Sequence, residues 1–433
     1  MIVAIRREDK NIWEKRTPLT PNDVSELIKS LGVKVLVQPS KIRIFSDDEY
    51  EKVGAIIKED LSEADIIFGV KEVPPEKILP NKTYVIFAHV IKGQKHNMKM
   101  LKRLMDLKCN LIDYEKIVDE QGKRLIFFGK YAGYAGLIET FQAFGRKLLK
   151  KGIDNSFTYL QQPYHYTSIE EAKYKLAEIG KIISEKGIDR SYAPLTVGFA
   201  GYGNVSRGAQ EFFDILPHIE ISPDELIKDF NKIKNETKRL FKIVFKEEHT
   251  VKRKEGEFNL NEYFLYPENY ESIFHKYIPY LSILLNCIFW TSKHPRLVSR
   301  EYLKKNFKDI RKLEVIGDIS CDINGAIEIT YKATEPDQPC YTYNPMNDSY
   351  EDDIQKEGIV VMAIDNLPCE FARESSNEFS SVLKKFIPQI LSNHFNKPYS
   401  EINLPYLIKT ALILHNGELT PNYKYLENFL KGD

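Results

Sequence analysis

The chain has 433 residues, of which 42% are apolar, so it is long enough for two or three domains with buried cores. Lysine plus arginine and aspartate plus glutamate both number 62, so the formal charge is zero, and no basic excess indicates binding of nucleic acid or an anionic membrane. No apolar run is long enough to span a bilayer, and the chain starts with a strand-like run instead of a signal peptide. These features predict a cytoplasmic protein with no membrane or nucleic-acid partner.

The first part of the chain alternates strand-like and helix-like patterns. A strand-like run at 2–5 precedes Thr20 and Pro21, which suit the cap and first turn of a helix that ends at Gly32. Strands that alternate with helices predict a parallel sheet with helices on both faces. The other strands predicted in this part are 33–37, 66–70, 84–88, 110–114 and 125–128, and the other helices are 46–54 and 98–107.

A long helix, predicted from 131 to about 151, carries the chain into a second domain. Its small residues predict close packing against a neighbouring element. A capping box at 168–171 starts another helix, which ends at Gly187. The polar, lysine-rich stretch 222–271 is predicted to be an insertion with helical parts. Buried strands are predicted at 281–289, 313–319 and 358–365, and a helix at 374–391 returns the chain to the first domain.

Together these elements predict an α/β fold of two Rossmann-like domains, with parallel sheets and an active-site cleft between them. The substrate domain is predicted to combine 1–140 with 370–433. The dinucleotide-binding domain is predicted to span 141–369, including the insertion around 222–271.

A glycine turn separates the apolar run 197–200 from a helix predicted at 209–215. Gly201 allows a sharp turn, and Gly203 lets a diphosphate approach the backbone. The free N–H groups of the next helix would then face the phosphates. The usual third glycine position holds Ser206, with Gly208 two residues later, so a plain strand–helix turn is the alternative.

Ionisable side chains lie at the carboxyl ends of several predicted strands, where ligands of open parallel sheets bind. Each alone also suits an ordinary loop, but together they favour one site. Lys71 and His89 can act as an acid and a base, with pKa values tuned by burial and neighbours. Arg16 and Arg124 can clamp carboxylates, or they can be surface arginines. The residues at these strand ends are Lys71, Glu72, His89, Glu115, Asp318 and Asp365.

The cysteines are five in number, scattered, and without a CxxC pair. They predict neither a disulfide framework nor a zinc site, and we expect no metal cofactor. Small buried side chains in a reducing compartment explain them better. They are Cys109, Cys287, Cys321, Cys340 and Cys369.

Several short motifs follow one another along nearly the whole chain, and the ordered set is more specific than any one of them. They are Glu14-Lys15-Arg16 with Leu19-Thr20-Pro21, Gly69-Val70-Lys71-Glu72, Phe87-Ala88-His89, Asp113-Tyr114-Glu115-Lys116, Phe128-Gly129 with Tyr131-Ala132-Gly133, the turn 201–209, Asp318-Ile319-Ser320 with Asp322, 364–368, and a tail around 423–425. With these motifs the chain resembles the lysine–ketoglutarate reductase family, also called lysine-forming saccharopine dehydrogenase. Within that family it resembles the N-terminal reductase half of bifunctional aminoadipic semialdehyde synthase.

The resemblance implies a two-domain fold related to alanine dehydrogenase and small-molecule substrates. The ε-amine of lysine joins the keto carbon of 2-oxoglutarate, and a nicotinamide hydride reduces the imine to saccharopine. By the same resemblance, Lys71 and His89 move protons, while acidic residues moderate the positive charge and arginines hold substrate carboxylates. The implied substrate residues are Arg16, Glu72, Glu115, Arg124 and Asp365, and the implied nucleotide residues are Gly201, Gly203, Asn204, Val205, Ser206, Arg207, Ser222 and Asp318.

Two features of the chain concern the cofactor domain. Some single-function family members have a cysteine in the glycine turn that can pair with the position of Cys287, but this turn has none. After the glycine helix, Glu220 would bind the ribose 2′-hydroxyl and favour NAD. Alternatively, Ser222 takes that place and Arg207 holds a 2′-phosphate, which favours NADP. The resemblance to the bifunctional enzyme favours NADP, with NAD as the alternative.

Two other functions stay open. One is an alanine dehydrogenase-like or opine-forming enzyme that acts on another amine. The other is a nucleotide-binding regulatory protein without catalysis, for which 222–271 would be a partner surface. The pair of Lys71 and His89 argues against the second, because binding alone requires neither. No oligomeric state is predicted.

Overall fold

The computed structural model describes residues 1–308, 312–392, 395 and 397–430, and the chain divides into two units. Unit 1 combines Met1–Phe128 with Ala372–Asp433, and unit 2 is Gly129–Phe371. The first boundary between the units lies between Phe128 and Gly129, earlier in the chain than the boundary predicted after residue 140. The reason is that the long helix that starts at Gly129 packs along its whole length within unit 2. The functional assignment of the two units stays a prediction.

Eighteen strands and fifteen α-helices make up the described part of the chain. The strands are β1 (Ile2–Ile5), β2 (Lys34–Val37), β3 (Ile56–Ile57), β4 (Ile66–Phe68), β5 (Thr83–Ile86), β6 (Asn110–Asp113), β7 (Thr196–Ala200), β8 (His218–Glu220), β9 (Leu240–Phe245), β10 (Val251–Arg253), β11 (Tyr270–Ser272), β12 (Ile283–Asn286), β13 (Val315–Asp318), β14 (Cys340–Asn344), β15 (Ser349–Asp352), β16 (Ile359–Met362), β17 (Leu412–His415) and β18 (Glu418–Leu419). The helices are α1 (Pro21–Leu31), α2 (Asp47–Glu51), α3 (Lys95–Asp106), α4 (Gly129–Lys150), α5 (Ile169–Lys186), α6 (Asn204–Phe213), α7 (Pro223–Lys228), α8 (Phe230–Ile233), α9 (Glu247–Thr250), α10 (Leu260–Leu265), α11 (Arg300–Asn306), α12 (Ala372–Leu383), α13 (Ile387–Leu391), α14 (Tyr406–Lys409) and α15 (Glu427–Leu430). Among the described residues, no helix combines the length and apolar character needed to cross a membrane.

The sheet of unit 1 has eight strands in the order β18-β17-β6-β5-β4-β1-β2-β3. The strands β1 to β6 pair in parallel, and nearly all their residues are buried, as expected for a parallel sheet covered on both faces. The predicted α1 is confirmed, with the Thr20 hydroxyl accepting from the Asp23 N–H and Gly32 closing the helix at φ +62°. The prediction missed the antiparallel strands β17 and β18 at the sheet edge.

The sheet of unit 2 also has eight strands, in the order β15-β14-β16-β13-β12-β7-β9-β8. Its core is parallel, and β14 and β15 add antiparallel pairs at one edge. The prediction of an insertion over 222–271 is wrong for β9, which is buried and lies between β7 and β8. Lys242 interrupts its apolar pattern, and this buried lysine pairs with Asp214 at 2.8 Å. In this stretch, the described strands outside the main sheet are the small antiparallel pair β10 and β11.

Helices α4 and α6 cross so closely that glycine is required on both. A Cβ at Gly133 would lie 2.1 Å from the Val205 carbonyl oxygen, and a Cβ at Gly208 would lie 2.2 Å from the Lys130 carbonyl oxygen. The predicted close packing of the long helix is therefore confirmed. The helix after the glycine turn begins at Asn204 and not at 209, because Gly208 serves this crossing and does not interrupt the helix.

Two smaller predictions need correction. Residues 125–128 form no strand, and the residue just before them, Arg124, forms an isolated bridge with Val118. The helix predicted at 374–391 is two helices, α12 and α13, since Pro388 lies at the first turn of the second.

Candidate active site

Lys71 lies just beyond the carboxyl end of β4, in unit 1. The N–H groups of Val70 and Lys71 donate to the two carboxylate oxygens of Glu8, at 2.7 and 2.9 Å. Glu8 is itself buried and fixes the backbone from which the lysine projects. Burial, and then the positive charges of Arg16 and Lys10, lower the pKa of Lys71. The side chain is thereby biased toward the neutral amine that accepts a proton.

His89 follows the neighbouring strand β5, and its ring is oriented by Glu72. The His89 Nδ1 donates to the Glu72 Oε1 at 2.6 Å. Burial opposes ionisation of Glu72, yet the hydrogen bond and charge of His89 lower the pKa of Glu72 to about 2. An ionised carboxylate at Nδ1 leaves Nε2 as the ring nitrogen that exchanges protons with a substrate.

The backbone of His89 has an uncommon conformation, with φ at +48°. The Asn97 side-chain amide donates to the His89 carbonyl oxygen at 3.1 Å, and the ring stacks on Phe87 at a centroid distance of 6.0 Å. These contacts orient the His89 side chain. The Phe87 N–H donates to the Val70 carbonyl oxygen at 3.1 Å, so the segments that carry His89 and Lys71 are joined where β5 and β4 end.

At the end of the next strand, β6, a buried carboxyl supports the predicted residue Glu115. The Glu115 N–H donates to Asp113 Oδ1 at 2.9 Å, and the Arg124 guanidinium donates to the Glu115 carboxylate. Burial raises the pKa of Asp113 to about 7. Among the described residues, the second oxygen of Asp113 has no hydrogen-bond partner. Arg124 is 41% exposed, so part of its charge faces solvent.

Arg16 is deeply buried and paired with Glu14. Its Nε and Nη2 donate to the two oxygens of Glu14 at 2.8 and 2.6 Å, and the guanidinium lies 4.2 Å from the Phe128 ring centroid. Two of the guanidinium nitrogens are therefore already used within the protein. The predicted role of Arg16 in binding a substrate carboxylate stays a prediction.

The structure thus collects six of the predicted residues in unit 1, most of them at the carboxyl ends of its strands. It places Asp365 in unit 2, exposed, after β16. Three buried acids that support this group were not predicted as site residues. Signals for them existed in the sequence, because Asp113 ends a strand, Glu8 follows a strand by three residues and Glu14 lies two residues before Arg16. The six predicted residues are Arg16, Lys71, Glu72, His89, Glu115 and Arg124, and the missed acids are Asp113, Glu8 and Glu14.

The glycine turn of unit 2 lies between β7 and α6. Gly201 has φ +94°, and its N–H donates to the Phe245 carbonyl oxygen at 2.9 Å. Gly203 is the N-cap of α6, and a Cβ there would meet no described atom within 4 Å. The space next to Gly203, at the N-terminus of α6, is therefore open. This arrangement fits the diphosphate of a dinucleotide.

Other predicted nucleotide residues are engaged within the protein. The Asp318 carboxylate accepts from Asn286 Nδ2 at 2.8 Å and from the Thr330 hydroxyl at 2.5 Å, and burial raises its pKa to about 6. The Ser206 hydroxyl is buried and accepts from Gln210 Nε2 at 2.9 Å. The Ser222 hydroxyl caps α7 through Glu225. Direct nucleotide contacts by these three side chains stay predictions.

A cavity of 580 Å³ opens beside the glycine turn. Apolar side chains on β9 and near α7 form part of its wall, and Arg207 on α6 brings a positive charge. Lys246 and His249, which the sequence analysis passed over, also line it. Apolar walls with basic side chains beside a free helix terminus fit the adenosine end of a dinucleotide. The lining residues are Tyr202, Arg207, Gln210, Glu220, Ile221, Ser222, Pro223, Val244, Lys246 and His249.

The chain is similar to known proteins in its sequence and in its fold. Residues 4–135 match the model of the alanine dehydrogenase/PNT N-terminal domain, and residues 267–422 match that of the alanine dehydrogenase/PNT C-terminal domain. The chain belongs to the alanine dehydrogenase/PNT family. An L-alanine dehydrogenase structure has a TM-score of 0.63 at 15% identity, covering 99% of this chain and 100% of that one. A transhydrogenase from Sinorhizobium meliloti has a TM-score of 0.58 at 16% identity, covering 97% and 100%. These structures confirm the predicted two-domain α/β fold.

The relatives by sequence confirm the resemblance to the lysine–ketoglutarate reductase family. The α-aminoadipic semialdehyde synthase of Arabidopsis thaliana is 38% identical over 100% of this chain and 42% of its own length. The mitochondrial α-aminoadipic semialdehyde synthase of Mus musculus is 35% identical over 98% of this chain and 47% of its own length. The chain thus spans less than half of each of these proteins. A saccharopine dehydrogenase [NAD(+), L-lysine-forming] of Neurospora crassa is 29% identical over 90% of this chain and 91% of its own length.

The matched domains and the names of the relatives support an oxidoreductase that uses a nicotinamide nucleotide, and the activity of this chain stays a prediction. One of the relatives is named as mitochondrial, so the cytoplasmic location of this chain stays a prediction.

Proposed function

We propose that this protein condenses the ε-amine of L-lysine with 2-oxoglutarate and reduces the resulting imine with NADPH to saccharopine, in a reversible reaction. The observation that carries the proposal is the Lys71 and His89–Glu72 arrangement at the adjacent ends of β4 and β5. The relatives named for aminoadipic semialdehyde synthase and for lysine-forming saccharopine dehydrogenase support this choice of substrates.

The condensation needs several proton transfers at one carbon. The lysine amine must lose a proton before it attacks the keto carbon, and the carbinolamine oxygen must gain protons to leave as water. Lys71, with its lowered pKa, is suited to accept a proton, and His89 is suited to return one through Nε2. When bound, the nucleotide supplies the hydride that reduces the imine carbon.

Charged neighbours fit the substrates. Both substrates carry carboxylates, and Arg124 presents a partly exposed guanidinium beside Glu115, so we propose that it binds one of them. We propose that Glu72 and Glu115 limit the positive charge around Lys71. Asp365 and the glycine turn belong to unit 2, whereas Lys71 and His89 belong to unit 1.

NADPH is the proposed nucleotide, with NADH as the alternative. Glu220 is the acid that the sequence predicted to favour NADH, but it ends β8, which is not the strand next to β7, and its carboxylate lies 3.4 Å from the Lys242 ammonium. Arg207 lines the cavity beside the glycine turn and offers a positive charge for a 2′-phosphate. These contacts support the phosphorylated nucleotide.

A second candidate is reduction of an imine from another amine, which the fold shared with L-alanine dehydrogenase favours. One assay separates the two. The protein is mixed with NADPH, 2-oxoglutarate and each of lysine, ornithine, alanine and ammonia, and the loss of NADPH absorbance is followed. Oxidation with lysine alone supports the proposal, whereas oxidation with alanine or ammonia but not lysine supports the second candidate. A protein that binds NADPH but oxidises none of it would be a nucleotide-binding protein without catalysis.

A further inference from the structure

We propose that Lys246 and His249 form, together with Arg207, the subsite for the 2′-phosphate of the nucleotide. This inference rests on the proposed use of a nicotinamide nucleotide, and it assigns the choice between NADPH and NADH to residues outside the stretch that directly follows the glycine helix.

The strand order supports this subsite. In open parallel sheets, the adenosine ribose is recognised at the carboxyl end of the strand beside the glycine strand. In this protein that strand is β9, which pairs with β7 from Thr196–Phe241 to Ala200–Phe245. The strand that follows α6 in the chain, β8, lies one position further out and pairs with β9. The ribose position therefore belongs to the residues after Phe245, and not to Glu220 or Ser222.

The position of the glycine turn supports this assignment. The Gly201 N–H donates to the Phe245 carbonyl oxygen at 2.9 Å, so the end of β9 contacts the start of the turn directly. Lys246 is the next residue, and both it and His249 line the cavity that Arg207 enters from α6. Three basic side chains from two parts of the fold thus converge on one cavity.

The chemistry of these side chains suits a phosphomonoester. In the described part of the chain, neither the Arg207 guanidinium nor the Lys246 ammonium has an ion-pair partner, so both charges are available to a ligand. His249 Nδ1 accepts the Lys246 N–H at 3.0 Å, which leaves Nε2 to carry the proton of the neutral ring. That N–H can donate to a phosphate oxygen at neutral pH.

Four acids lie near the cavity or near its lining side chains, namely Glu220, Glu247, Glu248 and Asp224. Glu220 lies 3.4 Å from Lys242, whose ammonium also contacts Asp214. Glu247 follows Lys246 and would favour a ribose hydroxyl, but the described residues that line the cavity do not include it. One of its carboxylate oxygens is buried. Glu248 and Asp224 act electrostatically on His249, and the Tyr202 hydroxyl donates to Glu247. Among the described residues that line the cavity itself, three are basic and one, Glu220, is acidic.

The test is a fluorescence titration of the full chain with NADPH and, separately, with NADH, in the absence of other substrates. The variants are Lys246→Glu and His249→Leu, with Lys246→Arg and His249→Gln as conservative partners that keep a donor. Lys181→Glu, at an exposed position on α5, is the matched control for the change in charge. NADH affinity in each variant reports that the nucleotide domain is folded.

We expect Lys246→Glu to weaken NADPH binding about 10- to 100-fold, since it replaces a charge-assisted contact with a repulsive charge, and to change NADH binding far less. Lys246→Arg and His249→Gln should restore most of the preference, and Lys181→Glu should leave it intact. Unchanged NADPH affinity in both Lys246→Glu and His249→Leu would overturn the subsite. A wild-type protein that binds NADH but discriminates against NADPH would also overturn it, while leaving the proposed reductase intact. Failure to bind either nucleotide would contradict the proposed function itself.

Discussion

The Nδ1 atom of His89 lies 2.6 Å from Oε1 of Glu72, across the ends of two neighbouring parallel strands. The contact joins the imidazole ring to a carboxylate whose pKa, despite burial, the hydrogen bond and charge of His89 lower to about 2. Glu72 directly follows Lys71, so its contact with His89 also holds the backbone of Lys71 in place after β4. The protein therefore presents Lys71 and His89 together, and the proposed chemistry depends on both.

Replacement of His89 by glutamine should slow turnover by about 10²- to 10⁴-fold, because glutamine keeps a polar side chain but cannot exchange the proton. Nucleotide affinity should stay nearly unchanged, since the glycine turn lies in unit 2. Steady-state rates and NADPH titration check both parts. A normal rate would remove His89 from the mechanism.

Replacement of Gly203 by valine should weaken NADPH binding by about 10-fold or more, because the side chain would occupy the space next to the first turn of α6. The fold should tolerate the change, since a Cβ there meets no described atom within 4 Å. Gly208→Val is the contrasting variant, because its Cβ would collide with the Lys130 carbonyl and destabilise unit 2. If Gly203→Val binds NADPH as tightly as the wild type, the turn has only a structural role.

Loss of the Arg16–Glu14 pair and loss of the Arg124–Glu115 pair should have different effects on the stability of the protein. Glu14→Ala removes the carboxylate that accepts from two nitrogens of the buried Arg16 and should lower the free energy of unfolding by about 3–5 kcal/mol. Arg124→Ala should change stability by less than about 1 kcal/mol, because that pair is partly exposed. It should instead raise the KM for a carboxylate substrate. Equal losses of stability in denaturant titrations would contradict this contrast.

A pair of buried carboxyls in unit 2, Glu139 and Glu370, should make stability depend on pH. Burial raises the pKa of Glu139 to about 7, and burial together with the charge of Glu139 raises the pKa of Glu370 further. Folded-state values above the ordinary 4.5 mean that their contribution is complete below pH 4.5 and is lost as the pH rises through 7.

Glu370→Gln removes the conflict between the two charges and leaves an amide that can donate to Glu139. At about pH 8 it should increase the free energy of unfolding by roughly 1–3 kcal/mol relative to wild type, and near pH 5 it should have little effect. Glu185→Gln, at an exposed position on α5, is the control. Denaturant titrations at both pH values check this, and a gain equal at both would show that the pair does not titrate in this range.

Most of the parallel core could be predicted from the sequence because its strands are apolar runs bounded by turns. Lys71 and His89 could be predicted as site residues because ligands bind at the carboxyl ends of parallel strands. It did not predict β9, whose pattern is interrupted by the buried Lys242, or the antiparallel edge strands, which follow no crossover helix. The pairing of β9 with β7 is a long-range choice that no local pattern reveals. Lys246 was missed for this reason, and Glu8, Glu14 and Asp113 were missed because their partners are distant backbone groups or lie within the same short loop.

The central claim is that the enzyme forms and reduces an imine between the ε-nitrogen of lysine and 2-oxoglutarate. The most direct measurement supplies lysine labelled with nitrogen-15 at the ε position, 2-oxoglutarate and NADPH, and identifies the product by mass spectrometry. We expect one saccharopine for each NADPH oxidised, with the label retained in its secondary amine. Labelled glutamate, or NADPH oxidation without a product that joins the two substrates, would contradict the claim.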